Sequence, residues 1–199
     1  NYLTSVEFET SKLVLSPNLK EVVAKADILI MAVPSAFLKE ALKDLTEADF
    51  KNKKVYSAIK GIVPEHNLIV GEFFNTQYNI PFEDIGVITG PCHEEEVAME
   101  KLSYLTIASQ NTDSAAYVAS QLNCRYIKTT VSDDIFGTEF SAVLKNVFAI
   151  ASGICHGLGY GDNFQAVLIS NAIQEIKAFV ELNFKIMEVT FKNILIFPT

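Results

Sequence analysis

The spacing of apolar residues changes character twice along this chain. Residues 26–33 (ADILIMAV) form a short apolar run without alternation that stops at Pro34. Such a run predicts a strand buried on both faces, as in a parallel sheet. An amphipathic stretch around residues 17–25 predicts a helix before it. From Ser35 onward, Phe37, Leu38, Ala41, Leu42 and Leu45 fall on one helical face. Residues 54–59 (KVYSAI), 86–89 (GVIT), 103–108 (SYLTIA) and 124–128 predict further strands. Residues 67–74, 94–100 and 114–122 predict the helices between them. This steady alternation of strand and helix is the pattern of a doubly wound α/β sheet.

After about Thr130 the strand signal stops. Residues 132–163 (SDDIFGTEFSAVLKNVFAIASGICHGLGYGDN) read as one long apolar helix, with Asp133 or Asp134 as its N-cap. A second helix is predicted over residues 163–183. The glycine cluster Gly157, Gly159, Gly161 follows a helix and not a strand, so it reads as a break between helices and not as a phosphate-binding turn. No GxGxxG follows any predicted strand. The last residues (FKIMEVTFKNILIFPT) change composition again and receive no structural assignment; they read as an artefactual or truncated end.

Composition narrows the class. Of the 199 residues 49% are hydrophobic and 20% charged, which fits a globular domain and not a disordered one. A net charge of −8 argues against a nucleic-acid binder, which needs a basic face to displace counterions. No apolar run was expected to reach the ~20 residues that span a bilayer. The start (NYLTSVEFETSK) has neither the basic nor the apolar region of a signal peptide. Cys92, Cys124 and Cys155 are odd in number and widely spaced, which suits a reducing, cytoplasmic setting and offers no metal site.

Candidate chemistry centres on Lys145. Its neighbours one turn away are Ser141, Ala142, Phe148 and Ala149, so no carboxylate stands at the spacing that pairs side chains on a helix. Either Lys145 snorkels into water, or its partner is a ligand or a distant part of the fold. Ligands of open α/β sheets bind beyond the carboxyl ends of the strands. Three such ends carry distinctive residues: Val33-Pro34-Ser35, Lys60-Gly61 and Gly90-Pro91-Cys92-His93. Lys60 is placed to meet an anion there, or is an ordinary loop lysine. Gly90-Pro91 makes a tight turn whose bare backbone admits close approach. Cys92 and His93 are adjacent, so their side chains diverge and a nucleophile pair is not expected. Glu94, Glu95 and Glu96 open a helix, where its dipole favours them.

Taken in order, ADILIMAVPS, YSAIKGI, GVITGPCHEEEVA and above all SDDIFGTEFSAVLKNVFAIASGICHGLGYGDN resemble the bacterial type of NAD(P)-dependent glycerol-3-phosphate dehydrogenase. The matching segments run from about Val22 to Glu175. The resemblance implies an α/β chain: a partial Rossmann-type parallel sheet over residues 1–130, then the start of an α-helical domain over residues 131–199. It implies that the GxGxxG turn precedes Asn1, that the later substrate-binding aspartate and Arg-Asn pair are absent, and that the tail after about Asn183 is unlike the family. It implies that Lys145 is the catalytic proton donor and acceptor, and that Lys60 contacts cofactor and substrate. Gly90 and Cys92 would border the substrate, with Cys92 in place of a serine. Glu94 stands where the family has a small residue near the cofactor.

The implied reaction interconverts dihydroxyacetone phosphate and sn-glycerol 3-phosphate with NAD or NADP, for glycerophospholipid synthesis. The implied partner is a small phosphorylated substrate, with no nucleic acid and no membrane span; a homodimer is left open. Two alternatives stand beside this reading: another dehydrogenase of a hydroxyacid or sugar phosphate, and a non-catalytic fragment of such an enzyme.

Overall fold

The computed structural model describes residues 7–183, so the reading of the tail lies outside the described residues. Helix α1 (Leu19–Lys25) is capped by Asn18, whose side chain accepts from the Glu21 amide. It leads into β1 (Ile28–Met31), and Pro34 starts α2 (Ser35–Ala41). Strand β2 (Lys54–Ser57) follows. Next, β3 (Ile62–Val63) and β4 (Leu68–Ile69) form a small antiparallel hairpin ahead of α3 (Val70–Tyr78). The helix expected at residues 67–74 therefore begins three residues later, because Leu68 and Ile69 are taken into the hairpin.

Strand β5 (Ile85–Thr89), short helix α4 (Glu94–Ala98) and strand β6 (Ser103–Ser109) come next. Helix α5 (Thr112–Leu122) then returns the chain to β7 (Ile127–Ser132). The last strand is displaced from the expected residues 124–128: Cys124 turns back through its amide to the Ile127 carbonyl, and the β-branched run after it pairs with β6.

The five-stranded sheet has the order β1-β2-β5-β6-β7. Strands β1, β2 and β5 run parallel, as do β6 and β7, but β5 and β6 are antiparallel. The expectation of a wholly parallel sheet fails at this one seam, while the Rossmann-type α/β architecture stands. The reason is the connection. A parallel neighbour needs a crossover long enough to recross the sheet, and five-residue α4 advances only about 7 Å. The chain thus enters β6 at the end where it left β5, with the Tyr104 amide bonded to the Pro91 carbonyl.

Both sheet faces are buried. Leu29, Met31, Val55, Phe73 and Phe74 pack on one side; Tyr56, Ile88, Ile107, Ala115 and Val118 pack on the other. Tyr56 buries its ring over Gly86, where an added Cβ would stand 2.1 Å from the ring. Its hydroxyl is satisfied by the Ser114 hydroxyl at 2.7 Å.

Helix α6 (Ile135–Gly157) begins at Asp134, whose carboxylate accepts from the Gly137 amide at 2.7 Å, and α7 (Asp162–Asn183) packs against it. The link is a turn with Gly159 at φ +85°, so the glycine cluster is a helix break, as its position after a helix implied. Ile135, Phe136 and Ala142 seat the first half of α6 on the sheet. Its far half carries Val147, Ile150 and Ile154 on an exposed stripe. On length and hydropathy alone α6 could cross a membrane, with a mean hydropathy of 1.2 over 18 residues, contrary to the expectation that no segment would.

Candidate active site

A cavity of about 780 Å³ opens where the sheet meets the two long helices. Its floor is built by the chain just beyond β2 and β5, which contribute Lys60, Gly90 and Pro91, and by Tyr104, Thr106, Lys128 and Thr130 of β6 and β7. Helix α6 supplies Thr138, Ser141, Lys145 and Ser152, and α7 supplies Ala172, Ile176 and Lys177. Among the described residues, four of the lining side chains are lysines and none is a carboxylate. The walls therefore favour an anion by simple charge.

Lys145 and Lys60, singled out on different grounds in the sequence, meet in this cavity. Neither makes a hydrogen bond or ion pair among the described residues, whereas Lys177 pairs with Glu181 at 3.7 Å and Lys128 reaches the Cys124 carbonyl. The Lys145 ammonium is held below the ordinary lysine range, first by partial burial and then by the positive charge of Lys60. A lysine tuned downward is better able to shuttle a proton near neutral pH than a free one.

Gly90 stands at the end of β5 with φ +138°. A side chain there would drive a Cβ to 2.2 Å from the Tyr104 carbonyl oxygen, so the turn demands glycine and leaves bare backbone on the cavity wall. Gly61, beside Lys60, is pressed against Ser35, whose Oγ would lie 2.6 Å from an added Cβ. The ends of β1 and β2 are thereby packed together under Lys60.

Cys92 and Glu94 are placed differently. Cys92 lies two residues past Gly90, half-buried and outside the cavity lining. Burial pushes its thiol up, while Lys60 and a hydrogen bond with Ser103 pull weakly the other way. It is no activated nucleophile. Glu94 is exposed on the first turn of α4, also away from the lining.

Several residues of the site were missed in the sequence. Lys128 faces the cavity from β7, a strand whose predicted bounds stopped at that residue. Glu139 is 1% exposed and accepts from the amides of Val70 and Gly71 at 2.9 and 3.1 Å. It joins α6 to the start of α3. As the one carboxylate within α6 it carried the same signal as Lys145, a lone charge on an apolar helix. Burial pushes its carboxyl up to about 7, against the two amides that favour ionisation.

The chain is similar to known proteins over most of its length. The profile of the NAD-dependent glycerol-3-phosphate dehydrogenase N-terminus matches residues 1–115, and that of its C-terminus matches residues 134–195. The likeness thus extends past the segments quoted above at both ends. It includes most of the tail after Asn183, expected from the sequence to be unlike the family. Glycerol-3-phosphate dehydrogenase (NAD(P)+) of Oceanobacillus iheyensis is 33% identical over 159 residues, 80% of this chain and 46% of the relative. The Bacillus subtilis protein of that name is 34% identical over 179 residues, 88% of this chain and 51% of its own length. The solved glycerol-3-phosphate dehydrogenase of Plasmodium falciparum matches with a TM-score of 0.75 at 27% identity, over 84% of this chain and 47% of that one. The Coxiella burnetii structure matches with a TM-score of 0.73 at 25% identity, over 83% and 50%. The chain spans about half the length of the curated relatives it matches, and it belongs to the NAD-dependent glycerol-3-phosphate dehydrogenase family.

Proposed function

We propose that this chain carries the proton-transfer half of a glycerol-3-phosphate dehydrogenase site, interconverting dihydroxyacetone phosphate and sn-glycerol 3-phosphate with NAD or NADP. The observation that carries the reading is the pair of lysines, Lys60 and Lys145, which among the described residues have no partner and share one cavity without a lining carboxylate, in a member of this family. The residues present fit the reacting end of a nicotinamide dinucleotide. Gly90 offers bare backbone, and no wall carboxylate would repel a phosphate. When bound, the nicotinamide exchanges a hydride with C2 of the substrate.

The chain's own groups then account for the rest. As the ketone is reduced, negative charge develops on the C2 oxygen. The Lys145 ammonium stabilises that charge and delivers the proton that completes the alcohol. In the reverse direction neutral Lys145 takes the same proton, which its lowered pKa favours. Lys60, as a point charge at the end of β2, orients the anionic substrate. Gly90 borders it with bare backbone, whereas Cys92 and Glu94 lie off the cavity lining and are given no contact with substrate or cofactor.

The division into a Rossmann-type part up to about residue 130 and a helical part after it is supported by β7 ending at Ser132 and α6 starting at Ile135. The product would feed glycerophospholipid synthesis in the cytoplasm.

The test is NADH- or NADPH-dependent reduction of dihydroxyacetone phosphate by the purified chain and by its Lys145→Ala variant. Turnover that falls at least a hundredfold in the variant supports the reading. Equal turnover in both, or none in the parent, overturns it.

A further inference from the structure

Ser141 lies one helical turn before Lys145 on α6 and belongs to the same cavity wall. Its hydroxyl oxygen is shut off from solvent and has no hydrogen-bond partner among the described residues. A serine inside a helix ordinarily points to water or bonds back to the carbonyl four residues earlier. Ser141 does neither. A buried hydroxyl left in this state destabilises the free protein, and serine is also a poorer helix former than alanine. The open valence is thus an expense the fold itself does not recover.

Its position relative to Lys145 says where the missing partner belongs. Helical side chains lean toward the N-terminus, so the Lys145 stem runs back over the turn that holds Ser141. Residues four apart on a helix are surface neighbours. Lys145 is only partly covered and makes no hydrogen bond or ion pair among the described residues, so no such bond fixes its stem in one rotamer over that turn. A ligand oxygen that draws the ammonium toward the cavity comes within reach of the hydroxyl beside it.

We propose that Ser141 is a further substrate-contacting residue, donating its hydroxyl proton in a hydrogen bond to the same oxygen of a small phosphorylated ketose or polyol that Lys145 protonates. This rests on the role given to Lys145 above. A hydroxyl can donate to that oxygen while it is a carbonyl and more strongly as it gains charge, so its contribution is largest in the transition state. It can accept from the Lys145 ammonium at the same time, because it keeps free lone pairs.

The experiment compares the parent chain with Ser141→Ala and Ser141→Thr in three measurements: melting temperature without ligand, the rise in melting temperature with saturating glycerol 3-phosphate, and dihydroxyacetone phosphate reduction. In Ser141→Ala we expect an unchanged or higher ligand-free melting temperature, a smaller rise with glycerol 3-phosphate, and kcat about tenfold lower with the KM for NADH unchanged. Ser141→Thr, which keeps a hydroxyl, restores part of both responses. If the parent responds to the ligand and Ser141→Ala responds equally, the Ser141 assignment alone is overturned. If the parent neither binds glycerol 3-phosphate nor turns over, the reading of Lys145 falls and takes this one with it. A large ligand-free loss of stability in Ser141→Ala also overturns the assignment, since it would mean that the hydroxyl has a partner within the fold.

Discussion

Glu139 caps the helix that begins beside Gly71, from a different part of the chain: its Oε2 accepts from the Gly71 amide at 3.1 Å while Oε1 accepts from that of Val70 at 2.9 Å. Helix α3 has Ile69 at its N-cap position, and an isoleucine has no side-chain acceptor to offer the first amides. The carboxylate from α6 does that work across 68 residues of sequence. Gly71 allows the approach, because an added Cβ would press on Oε2 at 3.1 Å. The contact therefore fixes the Lys145 helix onto the sheet layer that holds Lys60.

This contact makes stability depend on pH. The Glu139 carboxyl is pushed up to about 7 from an ordinary 4.5, so the folded state holds its proton more tightly than the unfolded state. Its stabilising contribution is full below about pH 4.5 and is lost as pH rises through 7, a change of about 3 kcal/mol. Urea melts of the parent and of Glu139→Gln from pH 5 to pH 8 should show the parent losing stability relative to the variant. Parallel pH curves for the two would refute the assignment.

Lys60 and Lys145 repel each other, and Lys60 thereby helps to lower the Lys145 pKa. Replacing Lys60 by methionine should raise the Lys145 pKa toward 10.5 without reaching it, because burial is the larger cause. NMR titration of ¹³C-methylated lysines reads this directly. On the proposed role of Lys145 reduction uses the ammonium form, so its rate should fall as pH climbs through that pKa, and the fall should move to higher pH in Lys60→Met. A Lys145 resonance that titrates identically in both proteins would contradict the coupling.

Gly90→Ala should destabilise the chain by roughly 1–3 kcal/mol. The backbone there has φ +138°, and the new methyl would meet the Tyr104 carbonyl, so β5 or β6 must shift. Chemical denaturation measures the loss, and a midpoint equal to the parent's would show that the turn is not under this constraint.

Cys92 should alkylate more slowly than free cysteine at pH 8, because burial holds its thiol protonated. Lys60→Met should slow it further by removing a charge that favours the thiolate. Faster labelling than the free amino acid would point to an activated thiol after all.

The order of strands and helices was readable because apolar runs and helical periodicity are local properties of sequence. The helix break after Gly157 was readable for the same reason, as was the oddity of Lys145. The reversal between β5 and β6 was not, since strand direction depends on how far a connection can travel, and α4 proved shorter than the seven residues expected. The β3–β4 hairpin was missed because two-residue strands leave no periodic trace.

The sequence by itself determined the order of the main strands and helices, the family, and the two lysines that stand without local partners. Each follows from residue types at short spacings, where side-chain geometry leaves few options. Only the tertiary structure decided that Lys60 and Lys145 share one cavity, that Glu139 caps the start of a helix 68 residues earlier, and that the Ser141 hydroxyl, one turn before Lys145, has no partner among the described residues. Those relations join distant segments through packing, and burial and hydrogen-bond satisfaction acquire values only once the chain has closed on itself.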